Sequence, residues 1–293
     1  MIQARDLRFR YPGAPADTLH GIDLSVTAGE VVGLLGPSGA GKSTTVGVLT
    51  GALTGLTGRV GGEVHVLGEP GPPDRRRLAR IGVGFEVPSV YLRLTARENL
   101  ALFAALHRVP TPDVEALLAR VGLDGQADQR VDRFSKGMRS RLDLCRALVA
   151  DPELLFLDEP TAALDPGYAR QVRTLVRGFA DRGGAVLLTT HDMHVAEAIC
   201  DRVALIVDGR VVACDTPRAL RLAGSRPEDR EVRLEVEEAG EVAVRSVTMA
   251  ALGADPAVHA CFRDGRVRAV HSCEPTLEDV FIRLTGRQLR GVA

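Results

Sequence analysis

The sequence predicts an α/β protein with a mixed sheet core, a helical subdomain set into it, and a small C-terminal α+β appendage. Three observations carry that prediction. Short unbroken apolar runs at Val31–Leu35, Leu154–Leu157 and Ala185–Leu188 have the composition of strands covered on both faces. Segments with recognisable helix N-caps fall between these runs. Immediately after the first run, residues Gly36 to Thr44 spell GPSGAGKST, a pattern that wraps a polyphosphate between a strand and a helix.

The chain begins MIQARDLRFRYP, which is charged and lacks the apolar stretch of a signal peptide. No segment reaches the roughly 18 uninterrupted apolar residues that a membrane span needs. The expectation is a soluble, cytoplasmic protein that would act on a membrane through a partner carrying the span. A formal net charge of −1 over 293 residues argues against a general attraction to nucleic acid. The five cysteines, Cys145, Cys200, Cys214, Cys261 and Cys273, form no C-x-x-C pair and read as small apolar residues in a reducing compartment.

The glycine-rich segment has the form G-x-x-x-x-G-K-[ST]. Its residues, Gly36, Pro37, Ser38, Gly39, Ala40, Gly41, Lys42, Ser43 and Thr44, would turn backbone N–H groups toward phosphate oxygens. Glycines 36, 39 and 41 let the backbone approach a ligand closely and take positive φ. Lys42 supplies a compact positive charge for the β- and γ-phosphates, and Ser43 a hydroxyl for an accompanying magnesium ion. A helix over Thr44–Thr50 would place its positive end beneath the phosphates. Of the 37 basic residues only Lys42 and Lys136 are lysine. An arginine-rich chain thus keeps lysine where a point charge, not a planar guanidinium, suits the cradle.

Further along, Thr95-Ala-Arg-Glu98 is a capping box that opens a helix ending near Pro110, and Asp113 caps a shorter one that stops at Gly122. Residues 86 to 133 therefore read as mainly helical. Ser135 begins a strong helical stretch to Val149. The run Leu154–Leu157 ends in Asp158 and Glu159; paired carboxylates at the end of a buried strand need a cation or a proton to handle. Asp158 is the natural magnesium partner, and Glu159 the natural base for the water that attacks a γ-phosphate. Asp165-Pro166 has the form of an N-cap with proline at the first helical position, starting a helix to about Asp181. Val203–Val207, Asp208-Gly209 and Val211–Ala213 read as a hairpin. Gly224 to Arg230 is polar and reads as a linker, so the expected domains are 1–222, with a helical subdomain at about 86–150, a linker at 223–230 and an accessory domain at 231–293. The last combines strands at Val232–Val236 and Val267–Val270, a turn at Asp264-Gly265 and a helix over Leu277–Leu284.

These motifs, in this order, resemble those of the ATP-binding-cassette (ABC) transporter ATPases over about residues 1–222, a P-loop NTPase fold. Phe134-Ser-Lys-Gly-Met138 is similar to the family signature LSGGQ, matching it at Ser135 and Gly137 and departing at Phe134, Lys136 and Met138. The resemblance implies ATP and Mg²⁺ as ligands. It also implies a second copy of the chain, because in the family this segment completes the nucleotide site of the opposite protomer. Tyr11 matches the aromatic that stacks on adenine, with Phe9 as the other candidate. Ala163-Leu164-Asp165 matches the loop that couples the two sites, and His191 the histidine that contacts the γ-phosphate. The loop after Ile81-Gly82 normally carries a glutamine that touches magnesium and the attacking water. Here Glu86 stands in that place, an acceptor that cannot donate a hydrogen bond when ionised.

Glu274-Pro-Thr-Leu-Glu-Asp-Val-Phe281 and Leu284-Thr-Gly286 resemble the ending of subunits from the drug, antibiotic and lipid exporter branch. Pro88 to Thr95 is similar to that branch's surface for the permease. The function implied is that of an ATP-hydrolysing subunit that powers a separately encoded integral-membrane permease from the inner face of the cell membrane. An importer ATPase shares the core motifs, and a neighbouring gene for a binding protein would mark it. A DNA-repair or chromosome-maintenance ATPase would carry long heptad insertions, and none is visible. A P-loop kinase or GTPase would not need the signature, the coupling loop and the histidine together.

Overall fold

The computed structural model describes residues 1–54, 57–162, 164–223, 231–238, 241–272 and 275–286. The sequence-derived linker at 224–230 lies outside the described residues, as do Ala163, Cys273 and Glu274. The chain forms two compact units, Met1–Pro217 together with the residues after Leu284, and Arg218–Leu284.

The first unit opens with β1 (Ile2–Arg10) and β2 (Leu19–Val26), followed by β3 (Val31–Leu35), α1 (Lys42–Leu49), β4 (Arg59–Val66) and the short β5 (Glu69–Pro70). β1 pairs antiparallel with both β2 and β4, giving a sheet of order β2-β1-β4-β5. Alternation along β1 buries Ile2, Ala4, Leu7 and Phe9. An extra residue is absorbed at Asp6, where φ is 48° and the register with β2 shifts. That bulge returns Leu7 to the inner face.

Next come α2 (Arg75–Leu78), β6 (Ile81–Gly84), α3 (Ala96–His107), α4 (Val114–Ala119), α5 (Lys136–Leu148), β7 (Leu154–Asp158), α6 (Pro166–Asp181), β8 (Ala185–Thr190), α7 (Met193–Ile199), β9 (Arg202–Val207) and β10 (Arg210–Asp215). The second sheet has the order β10-β9-β3-β8-β7-β6. Its neighbours run parallel except at the β9–β10 hairpin, whose turn residues Asp208 and Gly209 both have positive φ as the Asp-Gly pair predicts. The mixed sheet core and all three apolar strands are where the sequence puts them. One continuous core joins the inner faces of the two sheets to Val48 and Leu49 of α1.

The helical segment follows its caps. The Thr95–Glu98 capping box is complete, Asp113 caps α4 and Asp165 caps α6. α1 starts at Lys42, two residues earlier than the sequence suggests, because Gly41 in the left-handed conformation lets the helix begin inside the glycine-rich loop. At Gly82 in β6 a Cβ would meet the Ala147 carbonyl oxygen at 2.1 Å and Leu155 Cδ2 at 2.6 Å. The missing side chain lets α5 lie directly on the strand that leads to Glu86.

The second unit holds most of α8 (Pro217–Leu222), then β11 (Glu231–Glu238), β12 (Glu241–Thr248), α9 (Met249–Ala254), α10 (Pro256–Arg263), β13 (Val267–Ser272) and most of α11 (Leu277–Thr285). Its antiparallel sheet, ordered β12-β11-β13, buries Val232, Leu234 and Val236 with Val258 and Cys261 of α10. β12, α9 and α10 have no counterpart in the sequence reading. β12 is largely exposed, so little hydrophobic alternation marks it. No described helix is long and apolar enough to cross a membrane.

The close approach at Gly82 generates a test. Gly82→Ala should destabilise the protein by about 1–3 kcal/mol, read from the midpoint shift in urea unfolding. A change below about 0.5 kcal/mol, the usual range for a surface substitution, would show that α5 does not depend on that contact.

Candidate active site

Three strand ends build the site. β3 pairs in parallel with β8 (Leu35 beside Thr190), and β8 with β7 (Thr189 beside Asp158). The segments leaving these strands therefore emerge side by side at the carboxyl edge, where ligands of open α/β sheets bind. The glycine-rich loop follows β3, Glu159 follows β7 and His191 follows β8. Together with Glu86, on the loop after β6, they line an open cleft of about 570 Å³. Ser38, Gly39, Gly41, Lys42, Ser43, Thr44, Glu86, Asp158, Glu159 and His191 all reach it.

Within the loop, Gly39 and Gly41 have φ of 78° and 106°, as expected of glycines that shape a phosphate cradle. Gly36 is different. Its φ is not positive, and a Cβ there would lie 2.2 Å from the Ile206 carbonyl oxygen. Gly36 is thus glycine because β9 packs against it, which corrects the sequence expectation that all three glycines serve the ligand directly. Ala40 is buried in the core, and its N–H donates to the Pro37 carbonyl at 3.2 Å. Lys42 Nζ donates to the carbonyls of Gly36 (2.7 Å) and Pro37 (3.1 Å), closing the loop on itself. Burial pushes the Lys42 ammonium below the ordinary lysine range, against the opposing pull of Glu159, Asp158 and Glu86.

The acids are held by hydroxyls. Thr189 Oγ1 donates to Asp158 Oδ1, and Thr190 Oγ1 donates to Glu159 Oε2 at 3.1 Å. His191 Nδ1 donates to Glu159 Oε1 at 2.7 Å, which leaves Nε2 for a ligand. The Glu159 backbone sits at φ 49°, and its N–H donates to the Thr189 carbonyl at 3.0 Å. A left-handed glutamate is a local strain of a kind that gathers at working sites. Thr189 and Thr190 were not singled out from the sequence. Two successive hydroxyl residues closing an otherwise apolar run and preceding a histidine are the signal that could have found them.

Tyr11 stands beside the loop. Its hydroxyl is 3.2 Å from Thr44 Oγ1, and its ring meets Phe9 edge-on with centroids 4.8 Å apart. Phe9 is fully buried while Tyr11 is 38% exposed, so Tyr11 is the aromatic free to take a base. Ser135 is exposed and caps α5, its Oγ accepting from the Met138 N–H at 3.2 Å. Ser135, Gly137 and the exposed Asp165 are not part of the cleft lining.

The donor set fits a nucleoside triphosphate with a divalent cation. Loop N–H groups and the α1 terminus offer positive charge to phosphates. Ser43 and Asp158 offer hard oxygen ligands of the kind magnesium takes alongside phosphate oxygens.

A family model described as ABC transporter matches residues 19–162. A fluoroquinolones export ATP-binding protein of Mycobacterium tuberculosis (strain ATCC 25618 / H37Rv) is 46% identical over 291 residues, covering 99% of this chain and 94% of that protein. Nod factor export ATP-binding protein I of Rhizobium meliloti (strain 1021) is 39% identical over 290 residues, covering 93% and 84%. Among solved structures, an ATP-binding subunit of an ABC transporter superposes with TM-score 0.66 at 28% identity over 77% of this chain and 95% of that one. An ATP-binding cassette solved as a dimer in a post-hydrolysis state with ADP and Pi gives 0.65 at 26%, over 74% and 98%.

Lys42 yields a prediction with a definite sign. Its folded-state pKa is lowered, so the buried charge costs stability at every pH below that value, and the cost fades as pH rises toward the ordinary lysine range. Relative to Lys42→Met, the native chain should therefore gain stability as pH rises into the alkaline range, while the substitution loses triphosphate binding. Thermal melts across pH, with a fluorescent nucleotide titration, check both halves. Retained micromolar binding would count against the cradle.

Proposed function

The chain belongs to the ABC transporter family, and from that premise we propose that it binds and hydrolyses ATP to power export through a separately encoded integral-membrane permease. The observation that carries this reading is the Glu159 carboxylate, gripped by His191 Nδ1 at 2.7 Å and Thr190 Oγ1 at 3.1 Å at the mouth of the glycine-rich loop. These two hydrogen bonds hold the base in one rotamer and aim it at the cleft that would hold the phosphates.

In this reading the N–H groups of Ser38, Gly39 and Gly41 to Thr44, with the Lys42 ammonium, take the β- and γ-phosphates, Ala40 supports the loop from the core, and Tyr11 takes the adenine. Ser43 and Asp158, with Glu86 beside them, would hold Mg²⁺, which neutralises charge on the phosphate oxygens when bound. Glu159 accepts the proton of the attacking water, and His191 Nε2 senses the γ-phosphate. Ser135 and Gly137, at the exposed amino end of α5, serve the site of a second copy across a nucleotide-sandwich homodimer. Asp165, capping α6, couples the two sites.

A platform for the permease supports the same reading. Phe85, Val87, Tyr91 and Leu92 are all exposed on the segment between β6 and α3. Buried Asn99 pins that segment's backbone: its Oδ1 accepts from the Tyr91 N–H at 2.7 Å, and its Nδ2 donates to the Tyr91 carbonyl at 3.0 Å. A rigid backbone with apolar side chains turned outward suits a coupling element of a membrane partner. The names of the relatives, fluoroquinolones export and Nod factor export ATP-binding proteins, support export; in this reading the cargo is a drug, an antibiotic or a lipid and the chain works at the inner face of the membrane.

Glu159→Gln should lower kcat by about 10²–10⁴-fold while ATP still binds, and should accumulate an ATP-dependent dimer on size exclusion with light scattering. Normal turnover would remove Glu159 from the role of base. Glu86→Gln restores the family's usual side chain. A change in turnover or in Mg²⁺ dependence is expected, and identical values would show that Glu86 is idle.

A further inference from the structure

The loop that carries Glu86 is held by a group outside the cleft. Asp143 lies on α5 between Leu142 and Leu144 and is 2% exposed. Its Oδ2 accepts from the Phe85 N–H at 2.9 Å, and its Oδ1 accepts from the Ser89 N–H at 2.9 Å. One buried carboxylate thus closes residues 85 to 89 into a ring with Glu86 inside it. Arg146, one helical turn on, donates its Nε to Asp143 Oδ1 at 2.9 Å and its Nη2 to the Val83 carbonyl at 2.6 Å. Its guanidinium lies over the rings of Phe85 (5.4 Å) and Phe103 (4.8 Å). The pair therefore grips the backbone on both sides of Glu86.

The chemistry asks for a carboxylate. Three donors converge on two oxygens, and an ionised carboxylate is acceptor on both. A carboxamide offers one oxygen and turns an N–H toward a backbone N–H, leaving a buried donor unpaired. Two of the three bonds go to the loop and not to neighbouring helices, so the burial of this charge chiefly serves to order the loop.

We propose that Asp143, supported by Arg146, is a positioning residue for ATP hydrolysis: it fixes the Phe85–Ser89 loop so that Glu86 stands in the cleft. The proposal rests on the reading of the cleft as an ATP hydrolase in which Glu86 takes part. It acts on the turnover step. The phosphate loop that sets nucleotide affinity is untouched by these bonds.

The test uses the full chain. Asp143→Asn should lower kcat about 10-fold, in the range seen when groups supporting a metal-facing ligand are lost, with KM for ATP unchanged within about twofold. In a Glu86→Ala background the same substitution should add no further loss, since its effect runs through Glu86. The chain contains no tryptophan, so Val87→Trp places a single reporter on the loop, and its fluorescence anisotropy should fall when Asp143→Asn is added. Native kcat and unchanged anisotropy in folded Asp143→Asn would overturn the proposal. So would a kcat loss that persists in full without Glu86. Should Asp143→Asn fail to fold, Arg146→Lys takes its place, with the same expected losses and the same overturning results. Absence of turnover in the native chain would instead defeat the hydrolase reading, and the anisotropy arm would still decide whether Asp143 holds the loop.

Discussion

The site depends on one constraint, the parallel register of β3, β8 and β7. Because Leu35 lies beside Thr190 and Thr189 beside Asp158, three segments distant in sequence leave the sheet at one edge. Buried parallel strands are heavily constrained, since their apolar side chains must fill both faces and a one-residue slip turns every side chain over. The register that packs the core is therefore the register that assembles the chemistry.

That assembly is electrostatically unbalanced. Glu86, Asp158 and Glu159 share the cleft with one lysine, and the expected ligand is itself a polyanion. Lys42 is partly desolvated, and only its acidic neighbours resist the fall in its pKa. In the proposed function the α1 terminus and a bound divalent ion would supply the further positive charge that a triphosphate calls for here.

A second organising element is α5. Its N-cap, Ser135, is exposed. Its buried Arg141 donates to the carbonyls of Val121 (3.1 Å) and Gly122 (2.8 Å) at the end of α4, and stacks 3.6 Å from the Tyr168 ring on α6. One turn on, Asp143 and Arg146 grip the Glu86 loop. One helix thereby contacts the end of α4, the Tyr168 ring of α6 and the loop that carries Glu86.

The sequence by itself determined much of this. Local chemistry suffices to mark a glycine-rich loop, capping boxes, an acid pair closing an apolar run and an Asp-Gly turn, because each acts over a few residues and leaves a pattern in the chain. It names Lys42, Asp158 and Glu159 as members of one site, whereas His191 and Glu86 joined them only through the family resemblance. Only the tertiary structure decided how those members hold one another: Thr189 and Thr190 on the acids, Ile206 against Gly36, Asp143 and Arg146 beneath Glu86. These contacts join residues far apart in sequence, and a hydroxyl or a buried carboxylate has no distinctive spacing until its partner is in place. The exposed strand β12 was equally hidden, since a strand with one weakly apolar face carries little periodic signal. Local chemistry wrote the phosphate loop and the acid pair into the sequence, and the sheet decided what surrounds them.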